Sequence, residues 1–428
     1  MASAQAGQAG AERERRLAFV YHPQSFGTMA IAEAARGVCR LIWVIDGDVP
    51  ETASMARLLR RLGDVVDIAG LSLDDASAAI AAQRPDGILA LADSLLGWTA
   101  AIALRLELPF ISPAAAAALT DKHAQREALR AAGVAVPGFW PLPPLAEAEA
   151  WTALERRARF PAVLKPRRGE GSRDVVPVQS LDQVRAILEQ HADLSLAGER
   201  GFILEEYLRD RVEEQPAAFA GYVSVESIVA AGRISHLAIT GRFPLAEPFR
   251  ETGFFIPSAL ERADRDAVLE LASAAIAALG VSIGCLHTEI KLTPDGPRVI
   301  ELNGRIGGGV PEMLLDATGI DLLEIALRLA LSEAIAFDAV PACSKVGYLL
   351  YVQAPPAMRT VTSVNGLDTL RADAAVEEVI LRRGPGQSVD WREGNHGHVF
   401  SVRGAVGDHA ELKQIQDRVY AEAQILGD

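Results

Sequence analysis

Groups that suit phosphate chemistry lie close together in the segment HTEIKLTPDGPRVIELNGRIGGG. Mg²⁺ prefers oxygen ligands and completes its shell with water and phosphate oxygens, which suits Glu289, Glu301 and Asn303. The fork of Arg305 suits a transferring phosphoryl group because its charge is permanent. The glycines at 307–309 let backbone N–H groups approach an anion closely. The segment therefore indicates a site for Mg²⁺ and a nucleotide.

Two strands must hold these side chains. The runs LHTEIKL and RVIEL flank TPDGP, whose prolines and glycine predict a turn. If Leu292 pairs with Arg298, antiparallel counting places Glu289 directly opposite Glu301. Two carboxylates about 5 Å apart at Cβ repel each other unless a cation lies between them. The hairpin therefore supports the prediction of a metal site.

Alternation along the two strands assigns each side chain to one face of the hairpin. The face predicted to carry the chemistry holds Glu289, Lys291, Glu301, Asn303 and Arg305. The face predicted to be core holds Ile290, Leu292 and Ile300. An exposed strand with a network of glutamate and lysine charges would show the same pattern, and the hairpin alone leaves both interpretations open.

The composition favours a globular protein that acts on small molecules. Half of the 428 residues are apolar (50%), so two or three domains can each bury a core. A net charge of −14 argues against nucleic-acid or anionic-membrane surfaces, because both need basic faces. The cysteines lack metal-ligand spacing, and no apolar run approaches the roughly 18 residues of a membrane span. We therefore expect a cytoplasmic protein with no nucleic-acid or membrane partner.

Changes of pattern divide the chain into four parts. Residues 1–16 carry charges without an apolar core and are predicted to be a disordered tail. Residues 17–115 alternate between β-rich and helical runs, which predicts a parallel, doubly wound α/β sheet. Residues 116–335 show hairpin-rich α+β patterns, and residues 336–428 indicate a small, mostly β domain.

Five short motifs occur in order along the chain: DK at Asp121 and Lys122, VLKP before a glycine loop, EEYL, HTEIKL and ELNGR. With these motifs the chain resembles the ATP-grasp carboxylate–amine ligases, and within them most closely the L-amino acid ligases that make dipeptides. The resemblance covers nearly the whole chain. It implies the ATP-grasp fold, with a Rossmann-like N-terminal domain, a central two-lobed ATP-grasp domain whose lid lobe is near 160–230, and a small C-terminal domain.

The resemblance also implies a nucleotide site built from separate segments. Lys122 and Lys165 match the lysines that meet the α- and β-phosphates of ATP. The loop at 167–173 matches the flap over the phosphates, and its donors would come from Gly169, Gly171 and Ser172. The hinge whose backbone reads the adenine edge would consist of Glu205, Glu206, Tyr207 and Leu208.

Metal, catalytic and substrate roles follow from the same resemblance. Two Mg²⁺ ions, for which Mn²⁺ could substitute, would be held by Glu289, Glu301 and Asn303, with Glu301 bridging. Arg305 would stabilise the transferred phosphate, and together with the N–H groups of Gly307 and Gly308 it could stabilise an oxyanion. The residues implied to contact substrates are Glu251, His287 and Gly309.

Two roles stay open at this stage. Family members often carry an acidic ribose contact shortly before a motif like SVE, where this chain has Tyr222. Glu213 or Glu214 could take that role, although their segment is also typical of a solvated loop. The base that accepts a proton from the incoming ammonium could be His287 or Glu251.

The activity implied is the joining of a small-molecule carboxylate to an amine, with amino acids as the expected substrates. ATP would phosphorylate the carboxylate to an acyl phosphate, and ADP and phosphate would be released. A homodimer is the assembly to test, because dimers are the commonest homo-oligomers. The alternatives are another ATP-grasp ligase, of biotin-carboxylase-like or purine-biosynthetic type, and a non-catalytic nucleotide-binding module. Adenine binding alone does not need two facing carboxylates, which argues against the module.

Overall fold

The computed structural model describes residues 13–23, 25–190, 201–211 and 219–428 of the chain. Its N-terminal part contains a four-stranded parallel sheet with the strand order β3-β2-β1-β4. The strands are β1 (Arg16–Val20), β2 (Arg40–Ile45), β3 (Asp64–Asp67) and β4 (Gly87–Ala90). The helices are α1 (Thr28–Ala34), α2 (Pro50–Leu62), α3 (Leu73–Ala82) and α4 (Asp93–Leu106). The predicted parallel α/β sheet is confirmed.

Both faces of this sheet are covered, as a parallel sheet requires. Along β1, Leu17 and Phe19 enter one buried cluster, while Ala18 and Val20 enter the cluster on the other face. The first of these clusters also contains Ile228 and Leu327, which lie far along the chain. The parallel sheet is therefore packed directly against the elements that follow it.

Two helices lead into a four-stranded antiparallel sheet. The helices are α5 (Pro113–Thr120) and α6 (Lys122–Ala131). Asp121 is the N-cap of α6, because its carboxylate accepts from the backbone N–H groups of His123 and Ala124. The sheet has the order β5-β8-β6-β7. Its elements are β5 (Phe139–Pro141), α7 (Ala148–Glu155), β6 (Ala162–Pro166), β7 (Val176–Val178), α8 (Leu181–Gln190) and β8 (Phe202–Glu206).

The largest sheet is an eight-stranded antiparallel sheet with the strand order β13-β12-β9-β10-β11-β14-β17-β16. Its strands are β9 (Tyr222–Ala230), β10 (Arg233–Arg242), β11 (Gly253–Ile256), β12 (Gly284–Thr293), β13 (Gly296–Asn303), β14 (Val346–Gln353), β16 (Glu378–Leu381) and β17 (His398–Val406). The helices are α9 (Arg262–Ala278), α10 (Val310–Thr318), α11 (Leu322–Ala330), α12 (Leu367–Arg371) and α13 (His409–Glu422), and β15 (Val361–Asn365) pairs with β18 (Gln424–Gly427). This sheet is continuous across the predicted boundary between residues 335 and 336.

The hairpin of β12 and β13 contains the predicted pair of carboxylates. Glu289 lies opposite Glu301, as predicted. The predicted pairing of Leu292 with Arg298 is wrong, because Leu292 pairs with Pro297. A bulge lies between these two pairs, because Glu289 pairs with Glu301 whereas Ile290 pairs with Val299. β13 therefore contributes one extra residue, Ile300, which accounts for the shift of one position near the turn.

The bulge also corrects one assignment to the core. Ile300 lines the cleft described below, whereas the sequence places it on the core face. Val299 and Leu302 take the buried positions in its place.

Among the described residues, no helix combines the length and apolarity needed to cross a membrane.

Candidate active site

A large cleft, with a volume of about 1810 Å³, lies where the two antiparallel sheets and the N-terminal domain meet. It collects nearly every residue predicted to have a functional role. The predicted residues in its wall are Lys122, Lys165, Gly171, Ser172, Glu205, Glu206, Tyr207, Leu208, Glu251, His287, Glu289, Glu301, Asn303, Arg305, Gly308 and Gly309. Gly307 lies just behind the wall, against the His287 ring.

The facing carboxylates Glu289 and Glu301 each have a cationic neighbour. Lys122 Nζ lies 2.9 Å from Glu301 Oε1. Glu289 Oε1 lies 3.5 Å from His287 Nε2 and 3.9 Å from the Arg242 guanidinium. Burial alone would raise the pKa of Glu289, but the hydrogen bond from His287 and the Arg242 charge lower it to about 2. Glu289 is therefore ionised at neutral pH, as a metal ligand must be.

His287 is held in place by a buried carboxylate. Its Nδ1 lies 2.8 Å from Glu226 Oε2, and Glu226 also accepts from the hydroxyls of Ser224 and Thr240, each at 2.8 Å. Burial alone would lower the pKa of His287, but the Glu226 charge raises it to about 9. Both ring nitrogens of His287 face carboxylates, because Nε2 lies 3.5 Å from Glu289 Oε1.

Arg242, at the end of β10, is a buried cation that the sequence analysis missed. Its side chain is only 2% exposed and pairs with Glu251. It also donates to Ser224 Oγ at 3.1 Å and stacks over the Phe254 ring at 4.4 Å. Burial raises the pKa of Glu251, the nearby Glu289 raises it further, and Arg242 partly offsets both. The predicted substrate-contacting Glu251 is thus anchored before any substrate binds.

Arg305 reaches across to the N-terminal domain. Its Nε donates to Asp93 Oδ2 at 2.8 Å, at the first residue of α4. Its other side meets Glu170 of the glycine loop at 3.3 Å. Burial raises the pKa of Asp93, and Arg305 partly offsets this. Asp93 Oδ1 is buried without a hydrogen-bond partner among the described residues.

The second predicted lysine belongs to a buried triad. Lys165 Nζ lies 2.7 Å from Glu205 Oε2, and Arg126 Nε lies 3.1 Å from Glu205 Oε1. Burial lowers the pKa of Lys165, and the Glu205 charge opposes this. Burial alone would raise the pKa of Glu205, but Arg126 and Lys165 lower it below its usual range. The side chain of Glu205 therefore holds Lys165 at the cleft wall.

The predicted hinge continues from the end of β8. Glu206 is the last residue of the strand, where its N–H donates to Gly138 O at 2.7 Å and its carboxylate accepts from Arg298 at 2.9 Å. Tyr207 and Leu208 follow the strand and line the cleft. Their backbone is therefore outside the strand pairing and beside the space where a planar base would fit.

Two backbone carbonyls of the glycine loop (residues 167–173) accept hydrogen bonds from other segments of the cleft. Lys122 Nζ donates to Gly169 O at 2.8 Å, and the Asn395 N–H donates to Gly171 O at 2.9 Å. Ser172 has a positive φ of 58°, a left-handed conformation that a non-glycine residue rarely adopts. The loop thus contacts Lys122 and, through Glu170, Arg305.

Each of the three glycines that follow Arg305 has a different environment. A Cβ on Gly307 would overlap the His287 ring, so this close approach requires glycine. Gly308 faces open space in the cleft. Gly309 has a φ of +71° and is the N-cap residue of α10, where the Val310 N–H donates to Gly307 O at 3.2 Å and Pro311 has no N–H. A ligand anion could therefore approach the backbone most closely at Gly308, where a side chain would meet no other atoms.

The open assignments are partly located. Glu213 and Glu214, the candidate ribose contacts, lie outside the described residues. Tyr222 is buried in the cleft wall, where Lys291 and Arg242 approach its ring. Lys291 in turn pairs with Asp210, another residue of the wall.

The residues that the sequence analysis missed are Asp93, Arg126, Glu226, Arg242 and Asn395. One sequence signal was available for two of them, because Glu226 and Arg242 are charged residues within long apolar β-patterns. The others have no such signal, since their partners lie tens to hundreds of residues away.

Comparison with known proteins shows which families and proteins this chain is similar to. A model of the ATP-grasp domain matches residues 158–312. The chain is 28% identical over 323 residues to the uncharacterized protein y4rH of Sinorhizobium fredii, covering 74% of this chain and 63% of that protein. It is 26% identical over 333 residues to carnosine synthase 1 of Mus musculus, covering 71% of this chain and 38% of that protein. The chain thus spans less than two thirds of either relative.

A solved structure shows the same fold. The L-amino acid ligase of Bacillus licheniformis superposes with a TM-score of 0.76 at 19% identity, covering 98% of this chain and 100% of that one. At this identity the likeness concerns the fold alone.

Proposed function

Because residues 158–312 match the ATP-grasp domain, we propose that this chain is an ATP-dependent carboxylate–amine ligase that joins two amino acids or amino-acid-like substrates. The observation that supports this most strongly is the arrangement of one cleft. There, two facing carboxylates, an amide, an arginine and two lysines surround space large enough for a nucleotide and two small molecules.

In the first step, a carboxylate oxygen of one substrate attacks the γ-phosphorus of ATP. The bond to the β–γ bridging oxygen breaks, which gives an acyl phosphate and ADP. This step needs positioning and charge neutralisation more than a protein nucleophile. Lys122 and Lys165 would bind the phosphates, and Arg305 would meet the transferring group. The glycine loop would exclude water, which would otherwise hydrolyse the acyl phosphate.

The donor set fits Mg²⁺. Glu289 and Glu301 supply hard oxygen ligands on adjacent strands, and Asn303 supplies a third, buried at the end of β13. Lys122 and His287 now neutralise charge that a divalent ion would also neutralise. When bound, Mg²⁺ would supply charge neutralisation for the phosphates.

In the second step, the amine of the other substrate attacks the acyl carbonyl, and phosphate leaves as the C–N bond forms. Arg305 and the N–H groups of Gly307 and Gly308 would stabilise the oxyanion. Of the two candidate bases, Glu251 fits better, because the Glu226 charge raises the pKa of His287 to about 9 and His287 therefore already holds its proton at neutral pH. Glu251 would therefore receive the amino group of a substrate.

The substrate class rests on the comparisons as well as the cleft. One similar protein is named as a synthase of carnosine and another as a ligase of L-amino acids. The cleft also contains a half-buried carboxylate, Glu251, of the kind that an ammonium group needs. We therefore propose that at least one substrate is an α- or β-amino acid.

The test is phosphate release from ATP and Mg²⁺ with amino acids supplied singly and in pairs, followed by mass spectrometry. We expect phosphate to appear only with particular pairs, together with a product lighter than the pair by one water. Phosphate release that requires bicarbonate instead would indicate the biotin-carboxylase-like or purine-biosynthetic alternative. Bound ATP without turnover across the panel would favour a non-catalytic module.

A further inference from the structure

A short segment near the C-terminus reaches into the cleft. Residues Trp391–Gly397 form a 3₁₀ helix that is interrupted at Gly394, where φ is +62°. Asp390 caps it by accepting from the Arg392 N–H at 2.9 Å. The Glu393, Asn395 and His396 side chains all line the cleft. This segment therefore belongs to the cleft although it lies about a hundred residues after the hairpin of β12 and β13.

Asn395 makes contacts in two directions from this segment. Its backbone N–H donates to Gly171 O of the glycine loop at 2.9 Å. Its side chain forms a two-point contact with Glu251, in which Oδ1 accepts from the Glu251 N–H at 2.8 Å and Nδ2 donates to the Glu251 carboxylate. If the Asn395 amide were flipped, its NH₂ group would face the Glu251 N–H and its oxygen would face the Glu251 carboxylate. Both contacts would be repulsive, so the orientation of the amide is fixed. His398 Nδ1 holds the Asn395 carbonyl at 2.9 Å.

The approach of the loop to this segment depends on glycine. A Cβ on Gly394 would collide with the Gly171 carbonyl oxygen. A Cβ on Gly171 would come within 3.0 Å of His396 Nε2. Both glycines also have positive φ, so other residues would be strained there. The loop and the segment are therefore shaped for close contact.

The two ends of the Asn395 contact lead to different ligands of the proposed reaction. The glycine loop also meets Lys122 and Arg305, the cations proposed to hold the phosphates. Glu251 pairs with Arg242 and is proposed to receive the amino group. Asn395 is the residue at which these two networks meet.

We infer that Asn395 is a positioning residue that couples closure of the glycine loop over the nucleotide to the placement of Glu251 for the amino substrate. This inference rests on the proposed function, since it assumes that the cleft binds ATP beneath the loop. Coupling between two ligands is reciprocal, so each ligand should strengthen the binding of the other.

Two backbone amides report the coupling directly, so hydrogen exchange can test it without knowing the substrate. The Asn395 N–H reports docking of the loop, and the Glu251 N–H reports the Asn395 side chain. The probe is the ATP analogue AMP-PNP with Mg²⁺. In the wild-type protein we expect it to slow exchange in residues 167–175 and at both amides. In Asn395→Ala the loop and residue 395 should still be slowed, whereas the Glu251 amide should no longer respond.

Two further variants serve as controls. Gly394→Ala should prevent docking of the loop, so AMP-PNP should slow exchange neither at the Asn395 amide nor at the Glu251 amide in this variant. Asn365→Ala, at an exposed asparagine of β15, should behave as the wild type. In the ligase assay, Asn395→Ala should raise the KM of the amino substrate about 10-fold to 100-fold, and should raise that of ATP less.

The outcomes separate the two proposals. A protected loop with an unresponsive Glu251 amide in the wild type would overturn the coupling while leaving the ATP site intact. A Glu251 amide that responds equally in wild type and Asn395→Ala would also overturn it. No protection by AMP-PNP anywhere in the cleft would refute the proposed nucleotide site, and the coupling with it.

Discussion

Stability should fall as the pH is lowered from 7 to 5, and His398 should account for a measurable part of that loss. His398 is 7% exposed, stacks on the Tyr351 ring at 4.4 Å, and donates Nδ1–H to Asn395 O at 2.9 Å. Its Nε2 is buried without a partner among the described residues. Burial lowers the pKa of His398 from 6.5 to about 4, although the Asn395 hydrogen bond opposes this.

The sign follows from where the proton binds. Below pH 6.5 the unfolded chain protonates this histidine, whereas the folded protein does not until the pH approaches 4. The unfolded state therefore binds more protons, and the free energy of unfolding decreases as the pH is lowered through this window. A lowering from 6.5 to 4 corresponds to about 3 kcal/mol once both states are protonated, and to about 2 kcal/mol at pH 5.

The assay compares the wild type with His398→Phe. Phenylalanine keeps the stacking on Tyr351 and removes the titrating group. The variant should therefore be less stable than the wild type at pH 7, but its stability should fall less than that of the wild type when the pH is lowered from 7 to 5. The difference in that loss should be about 2 kcal/mol by denaturant unfolding. Histidine NMR spectra supply a second measurement, since the signal missing in the variant identifies His398. Equal pH dependence in both proteins, or a titration midpoint near 6.5, would refute the reasoning.

Three further predictions concern residues of the site. Glu301→Gln should reduce turnover at least about 100-fold while leaving the fold intact, because it removes a proposed metal ligand; wild-type rates of ADP release would contradict that role. Lys165→Ala should weaken ATP binding about 10-fold to 100-fold, which calorimetry can measure, and an unchanged affinity would remove Lys165 from the site. Gly307→Ala should destabilise the protein by about 1–3 kcal/mol because its methyl group would overlap His287, whereas Gly308→Ala, which faces open space, should cost little in a matched thermal unfolding experiment.

The part of the site that could be predicted from the sequence is local in the chain. Glu289 and Glu301 face each other across a short turn, so counting residues along two strands was sufficient to pair them. The same counting failed nearer the turn, because no glycine or proline marks the bulge that moves Ile300 into the cleft. The parallel N-terminal sheet was predictable for a similar reason, since each βα unit has its own pattern.

The part that could not be predicted depends on contacts between distant segments. Arg305 is oriented by Asp93, 212 residues earlier, and Glu251 by Asn395, 144 residues later. Neither pair has a spacing that local geometry could reveal. Only the packing of the N-terminal domain and the C-terminal segment against the central sheet brings them together.

The central claim is that a substrate carboxylate is activated by phosphorylation, and an isotope measurement tests it most directly. The acid substrate is labelled with ¹⁸O in its carboxylate, and the phosphate released during turnover is analysed by mass spectrometry. An acyl phosphate predicts that one ¹⁸O atom passes from the acid to each phosphate released. Unlabelled phosphate, or release of AMP and pyrophosphate in place of ADP and phosphate, would contradict the account.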